Sequence, residues 1–274
     1  MHETLTSTGS PLRSPGGPRS SRLRRIVRLL ALLTGITVVG GAAWYLFLFL
    51  VTRTETGTVA IDTSVRSVVV EISSGDIDVE VAGKGEEPEL HKKLTKSLRT
   101  PDERIDQDGD TLRVSADCGE GMGTCGSDYR LTVPAGTKVK AVTRLGDVTV
   151  KGVRNSVEAR TRIGGVHLEH VDGERIVTAS KTGAITLKNV DFDTAAATSK
   201  LGDIRFEDIE AFTRIKAVSK LGDVNLRLPQ DAGPYAVTTF TKVGDRTVDV
   251  DQDPDSGTTV EARTKIGDVT VRAD

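Results

Sequence analysis

The residues best placed to do chemistry are basic side chains at near-constant intervals: Arg144, Arg162, Lys181, Lys200, Lys220, Lys242 and Lys265. A column of cations at this spacing can hold an anionic polymer such as a teichoic acid or an acidic polysaccharide. Asp147, Asp203, Asp223, Asp245 and Asp268 follow three residues after their cations and can serve as counter-charges. In that case the pattern is a lattice of surface ion pairs, each contributing little. Gly165 and Ala184 stand where Asp is expected, leaving Arg162 and Lys181 without that counter-charge. With Lys200 and Lys220 beyond them, these are the candidate polyanion-binding residues.

Other chemistries fit less well. Calcium requires six to eight converging oxygens, and one Asp per repeat after a single Gly does not supply them; a corner Asp caps a turn. The acidic run Asp102 to Asp110 lacks the closing Glu of an EF-hand, so no metal site is expected. His167 and His170 are neighbours, but His2 and His91 are distant, and no Ser/His/Asp or Cys/His constellation accompanies them. No cofactor is implied and the chain reads as a non-enzyme, a polysaccharide-acting enzyme being a distant alternative. Cys118 and Cys125, the only cysteines, are separated by six residues rich in Gly, and in an oxidising exterior they form a candidate disulfide.

The elements that position the cations follow from the repeat around them. Thr143-Arg144-Leu145-Gly146-Asp147-Val148-Thr149-Val150 recurs to the C-terminus, with successive glycines 18, 19, 19, 20, 22 and 23 residues apart. A fixed short period marks a solenoid in which each repeat rests on the last. The fold class is therefore all-β, a parallel β-helix or β-solenoid of ~19-residue coils. Alternation places Val139, Ala141, Thr143 and Leu145 inward, Lys140, Val142 and Arg144 outward, and Val148 and Val150 inward again after a Gly-Asp corner. Ala141, Ala159, Thr178, Ala197, Ala217, Thr239 and Ala262 then form a small-residue column. Beside it runs a hydroxyl column: Thr143, Thr161, Ser180, Ser199, Ser219, Thr241 and Thr264. Its hydroxyls can bond the next rung or the corner backbone. Val153, Val171, Val190 and Ile209 mark a second bend. The last coil ends near Val271, and an open edge there offers a surface for self-association unless Arg272 and Asp274 block it.

Upstream, Val68 to Val79 aligns with Val139 to Val150 position for position. Residues 83–128 interrupt the pattern as an irregular insertion, with a short helix expected over Glu89 to Leu98. Residues 29–51 contain no charge, long enough for a single transmembrane helix. Residues 1–28 are an Arg-rich tail expected to be disordered, with net charge +5 against −7 for the remainder. Arginine immediately before an apolar span is topogenic. The predicted domains are a cytoplasmic tail (1–28), a membrane helix (29–51) and an extracytoplasmic β-solenoid (54–274), making a single-pass cell-membrane protein. No nucleic-acid partner is implied, because neither a helix-turn-helix nor an aromatic platform accompanies the arginines.

Ser74-Gly75-Asp76-Ile77-Asp78-Val79, Leu131-Thr132-Val133-Pro134-Ala135-Gly136 and the repeated Gly-Asp-Val-Thr-Val resemble the DUF4097 family over roughly residues 58–274. The family consists of adhesin-like β-strand-repeat proteins. The resemblance implies a β-helical envelope domain in a bacterial, often membrane-anchored protein, with roles in adhesion or envelope-stress signalling and no assigned enzymatic activity. The expected function is a membrane-tethered adhesin-like binding or scaffold module that presents a face to anionic cell-wall polymer or to an envelope protein. An envelope-stress sensing or signalling component is the alternative.

Overall fold

The computed structural model describes residues 20–121 and 123–273, without side-chain detail for 20–25 and 48–50. The chain divides into two units, residues 1–51 and 52–274. In the first, one helix, α1 (Ser20–Val51), contains an apolar stretch, Ile26–Phe47, of 22 residues, long enough to cross a membrane. It starts inside the segment expected to lack structure, because residues 20–28 include Arg and Leu, both good helix formers. The expectation for residues 1–19 falls outside the described residues.

The second unit is one curled sheet of 19 strands. Its early strands are β1 (Arg53–Ala60), β2 (Ser67–Ser74), β3 (Ile77–Val81), β4 (Glu89–Lys96), β5 (Asp102–Asp108), β6 (Thr111–Asp117) and β7 (Cys125–Val133). Next come β8 (Lys138–Leu145), β9 (Val148–Lys151), β10 (Val157–Ile163), β11 (Val166–Thr182), β12 (Ile185–Leu201), β13 (Ile204–Ile209), β14 (Arg214–Val218) and β15 (Val224–Leu228). The last four are β16 (Ala236–Phe240), β17 (Arg246–Asp249), β18 (Thr259–Arg263) and β19 (Val269–Ala273). From β2 onward the repeats pair in parallel and in register. Ala141 lies against Ala159, Thr178 against Ala197, and Ala217 against Ala262. Because nearly all repeats put apolar and small residues at the same parity, both strand runs close over one continuous core, from Ile61 to Val271. All of that core belongs to residues 52–274, so this unit carries what it needs to fold alone.

The rungs are not stacked in chain order. The early copy, β2 and β3, lies between β6/β7 and β8/β9, with Val68 opposite Val139 and Ile77 opposite Val148. At the other end, β18 and β19 lie between β14/β15 and β16/β17. The final repeat is therefore interior, which corrects the expectation that the C-terminal coil is the open edge. The outermost rung is β16/β17. Here Arg246 pairs with Val269, in the column that Val224, Ile204 and Ile185 fill in other rungs. A charge at a core-facing edge position discourages further pairing.

Residues 83–128 hold β4, β5, β6 and the start of β7, joined by short loops, rather than being irregular throughout. β4 runs antiparallel between β1 and β7, and β5 runs antiparallel beside β6. Leu90 and Leu94 are both buried. A spacing of four fits one helical face and also one strand face, so the sequence was ambiguous and the flanking strands decided it. Glu103 turns inward from β5, accepting a 2.7 Å hydrogen bond from the Tyr129 hydroxyl and pairing with Lys92. Burial, reinforced by this carboxylate, pushes the Tyr129 phenol well above its ordinary pKa. The cluster closes this end of the core. Between β6 and β7, Cys118 and Cys125 are disulfide-bonded, and Arg99 donates to the Cys118, Gly119 and Gly123 carbonyls.

Candidate functional site

The corner motif assigns a task to each of its residues. Seven corner glycines, from Gly146 to Gly267, have φ between +133° and +145°. A Cβ on any of them would lie 2.0–2.4 Å from a corner glycine carbonyl of the adjacent rung. The same carbonyls accept hydrogen bonds from the hydroxyl column. Thr143 donates to Gly75, Thr161 to Gly146, Ser180 to Gly164 and Ser219 to Gly202, at 2.9–3.1 Å. Ser219 is 2% exposed, so Ser219→Ala is expected to cost about 1–2 kcal/mol in urea unfolding, and exposed Thr198→Ala close to nothing.

The aspartates serve the stack as well. Asp76 accepts the Asp147 amide at 2.8 Å, Asp147 the Gly165 amide at 2.6 Å and Asp203 the Asp223 amide at 2.9 Å. The series continues from Asp223 to the Asp268 amide and from Asp268 to the Asp245 amide, both at 2.8 Å. Each carboxylate thus points along the stack to the next backbone instead of converging with its neighbours on a cation. Nor does it pair with the Arg or Lys three residues before it, which corrects the expected lattice of ion pairs. Asp203 pairs instead with Arg205, at 3.0 Å.

What remains is the outward side of the corner. Arg144, Arg162, Lys181, Lys200, Lys220, Lys265 and Lys242 are all exposed, and their rungs follow one another in that order. None makes an ion pair within 4 Å among the described residues, although, after the Gly119 amide, the Arg144 charge helps to hold the Asp117 carboxyl below its ordinary pKa; Lys140, Lys151, Arg160, Lys216 and Arg263, outside the column, are paired. The candidates Arg162, Lys181, Lys200 and Lys220 are therefore brought into one column. His167 and His170 each approach Glu169 only at 3.9 Å, and His91 is engaged by Glu89 and Thr58.

A second column lies beside the cations, and parity reasoning missed it. Leu145, expected to point inward, is 48% exposed. Ile163, Leu201, Leu221, Ile266 and Val243 are between 41% and 56% exposed, with Thr182, and Ser74 in the early copy, as polar members. These residues end their strands, and the bend into the corner glycine carries them past the edge of the interior. Their position immediately before Gly was the available signal.

Stacked in-register rungs with glycine corners define a repeat protein of the β-solenoid-like class. The chain belongs to the DUF4097 (Toastrack) family, whose profile matches residues 43–274. None of the curated proteins matches it. Among solved structures, a proposed adhesin from Bacteroides fragilis NCTC 9343 is similar at 16% identity and TM-score 0.52, covering 81% of this chain and 97% of that one. A proposed adhesin from Parabacteroides merdae ATCC 43184 covers 81% and 96% at 14% identity and TM-score 0.40. A proposed lipid-binding protein from Parabacteroides distasonis ATCC 8503 covers 81% and 97% at 10% identity and TM-score 0.43. At 16% identity the likeness to the Bacteroides fragilis protein is one of fold.

Proposed function

We propose that this chain is a membrane-tethered, adhesin-like binding module of the bacterial cell envelope, engaging an anionic envelope component through its basic column. In this reading α1 crosses the cell membrane, residues 1–28 are cytoplasmic, and residues 52–274 form a parallel β-helical domain outside. The 22-residue apolar stretch supports the anchor, and Arg22, Arg24 and Arg25 before it, with Arg28 in its first turn, support the orientation. The Cys118–Cys125 disulfide favours an oxidising exterior.

The observation that carries the reading is seven exposed cations stacked in one column on successive rungs, none with an ion pair within 4 Å among the described residues. Like charges on successive rungs, about 4.8 Å apart, repel one another, and an anionic partner relieves that repulsion. Residues 52–274 are expected to bind isolated envelope fractions at low ionic strength and to release them at about 0.5 M salt, where charges are screened within about 4 Å. Lys200→Gln with Lys220→Gln is expected to lower this binding about tenfold or more at unchanged melting temperature. Salt-insensitive binding, or binding unaltered in the double variant, would remove the basis of the proposal.

A further inference from the structure

The edge that carries the cations is amphipathic, and this narrows the partner. Resting on the reading that α1 anchors the chain in a bilayer, we propose that the paired columns form a ridge that lies on an anionic lipid surface. The cations are Arg144, Arg162, Lys181, Lys200, Lys220, Lys265 and Lys242, each one residue before an aliphatic side chain except Lys181, which precedes Thr182. Seven rungs at about 4.8 Å extend this ridge over about 30 Å.

A hydrated polymer rewards the cations alone. It offers nothing to Leu201, Leu221 and Ile266, which stand 46%, 41% and 50% exposed in consecutive stacked rungs. Aliphatic side chains beside a row of Lys and Arg are the composition of a surface seated at the headgroup boundary, where apolar groups enter the acyl region and cations meet lipid phosphates. The rest of the motif cannot contribute, since its Gly carbonyls, hydroxyls and Asp carboxylates already bond within the stack. The open rung end is a poorer docking surface because Arg246 occupies its core-facing position.

The test is flotation of residues 52–274 with phosphatidylcholine vesicles, with and without phosphatidylglycerol, alongside anisotropy with long-chain polyphosphate. The fragment is expected to float only with the phosphatidylglycerol vesicles. Combined Leu201→Ser, Leu221→Ser and Ile266→Ser should weaken flotation about fivefold per side chain, leaving polyphosphate binding within about twofold. Lys200→Gln, Lys220→Gln and Lys265→Gln together should weaken vesicle binding about a hundredfold. These positions are half-exposed or exposed, so melting temperature reports whether each variant still folds. Flotation of the serine variant as strong as wild type, or equal flotation without phosphatidylglycerol, overturns the proposal. Polyphosphate binding without flotation also overturns it while leaving an anionic partner standing, and failure to bind either probe overturns both readings.

Discussion

Ending the chain at Thr258 is expected to unfold more than the segment it removes. β18 and β19 form the interior rung between β14/β15 and β16/β17, and among the described residues β16 and β17 have no other strand partners. Truncation therefore removes buried Val260, Ala262, Val269 and Val271 and also orphans the outermost rung. Three buried valines are worth about 1.5–3 kcal/mol each, partly offset because fewer residues must be ordered. A net loss of about 5 kcal/mol corresponds to a melting temperature lower by about 10–20 °C in a unit of this size. Excising residues 236–250, which keeps buried Tyr235 in place, is expected to cost about half as much, because Val237 and Val248 of that rung are only partly buried. Differential scanning calorimetry of both variants checks the rung order. A truncation milder than the excision would mean that the last repeat is not interior.

The second large effect is Gly202→Ala, expected to cost about 3–5 kcal/mol or to abolish folding. Gly202 has φ +145°, and a Cβ there would lie 2.2 Å from the Gly183 carbonyl oxygen. Backbone strain alone contributes about 1–3 kcal/mol, and the clash adds displacement of two rungs. The Gly202 carbonyl in turn accepts the Ser219 hydroxyl, so movement there propagates to the next corner. Gly126→Ala, at a position with open space and no positive φ, serves as the control and is expected to change stability by less than about 0.5 kcal/mol. Equal effects at both positions, measured by urea unfolding, would refute the role of the stacked carbonyls.

Much of this was legible in the residues. Local alternation is a property of the chain, so the inward Ala and hydroxyl columns and the second bend at Val171, Val190 and Ile209 could be read directly. The alignment of Val68–Val79 with Val139–Val150 is also the register in which those strands pair. Parity failed at Leu145 because a strand ends there and the corner redirects the side chain. It failed at Glu89–Leu98 because the spacing of Leu90 and Leu94 satisfies two periods at once.

Within the site, the sequence supplied the cations and their interval but paired them with the wrong atoms. Asp147, Asp203, Asp223 and Asp268 bond to amides of neighbouring rungs, contacts that sequence distance along one rung cannot anticipate. Freed of those counter-charges, the Lys and Arg column stands beside an aliphatic column that alternation had assigned to the core.

By itself, the sequence determined the rung: its Gly corner, its hydroxyl, its inward and outward faces, and an apolar helix before it all. Only the tertiary structure decided the order of the rungs. Each corner offers its neighbour the same glycine carbonyl, and most offer the same Asp acceptor, so equivalent repeats do not specify which rung follows which. The exception was written in one residue. Arg246 stands where every other repeat carries Val or Ile, and a charged side chain tolerates that column only where the stack meets water.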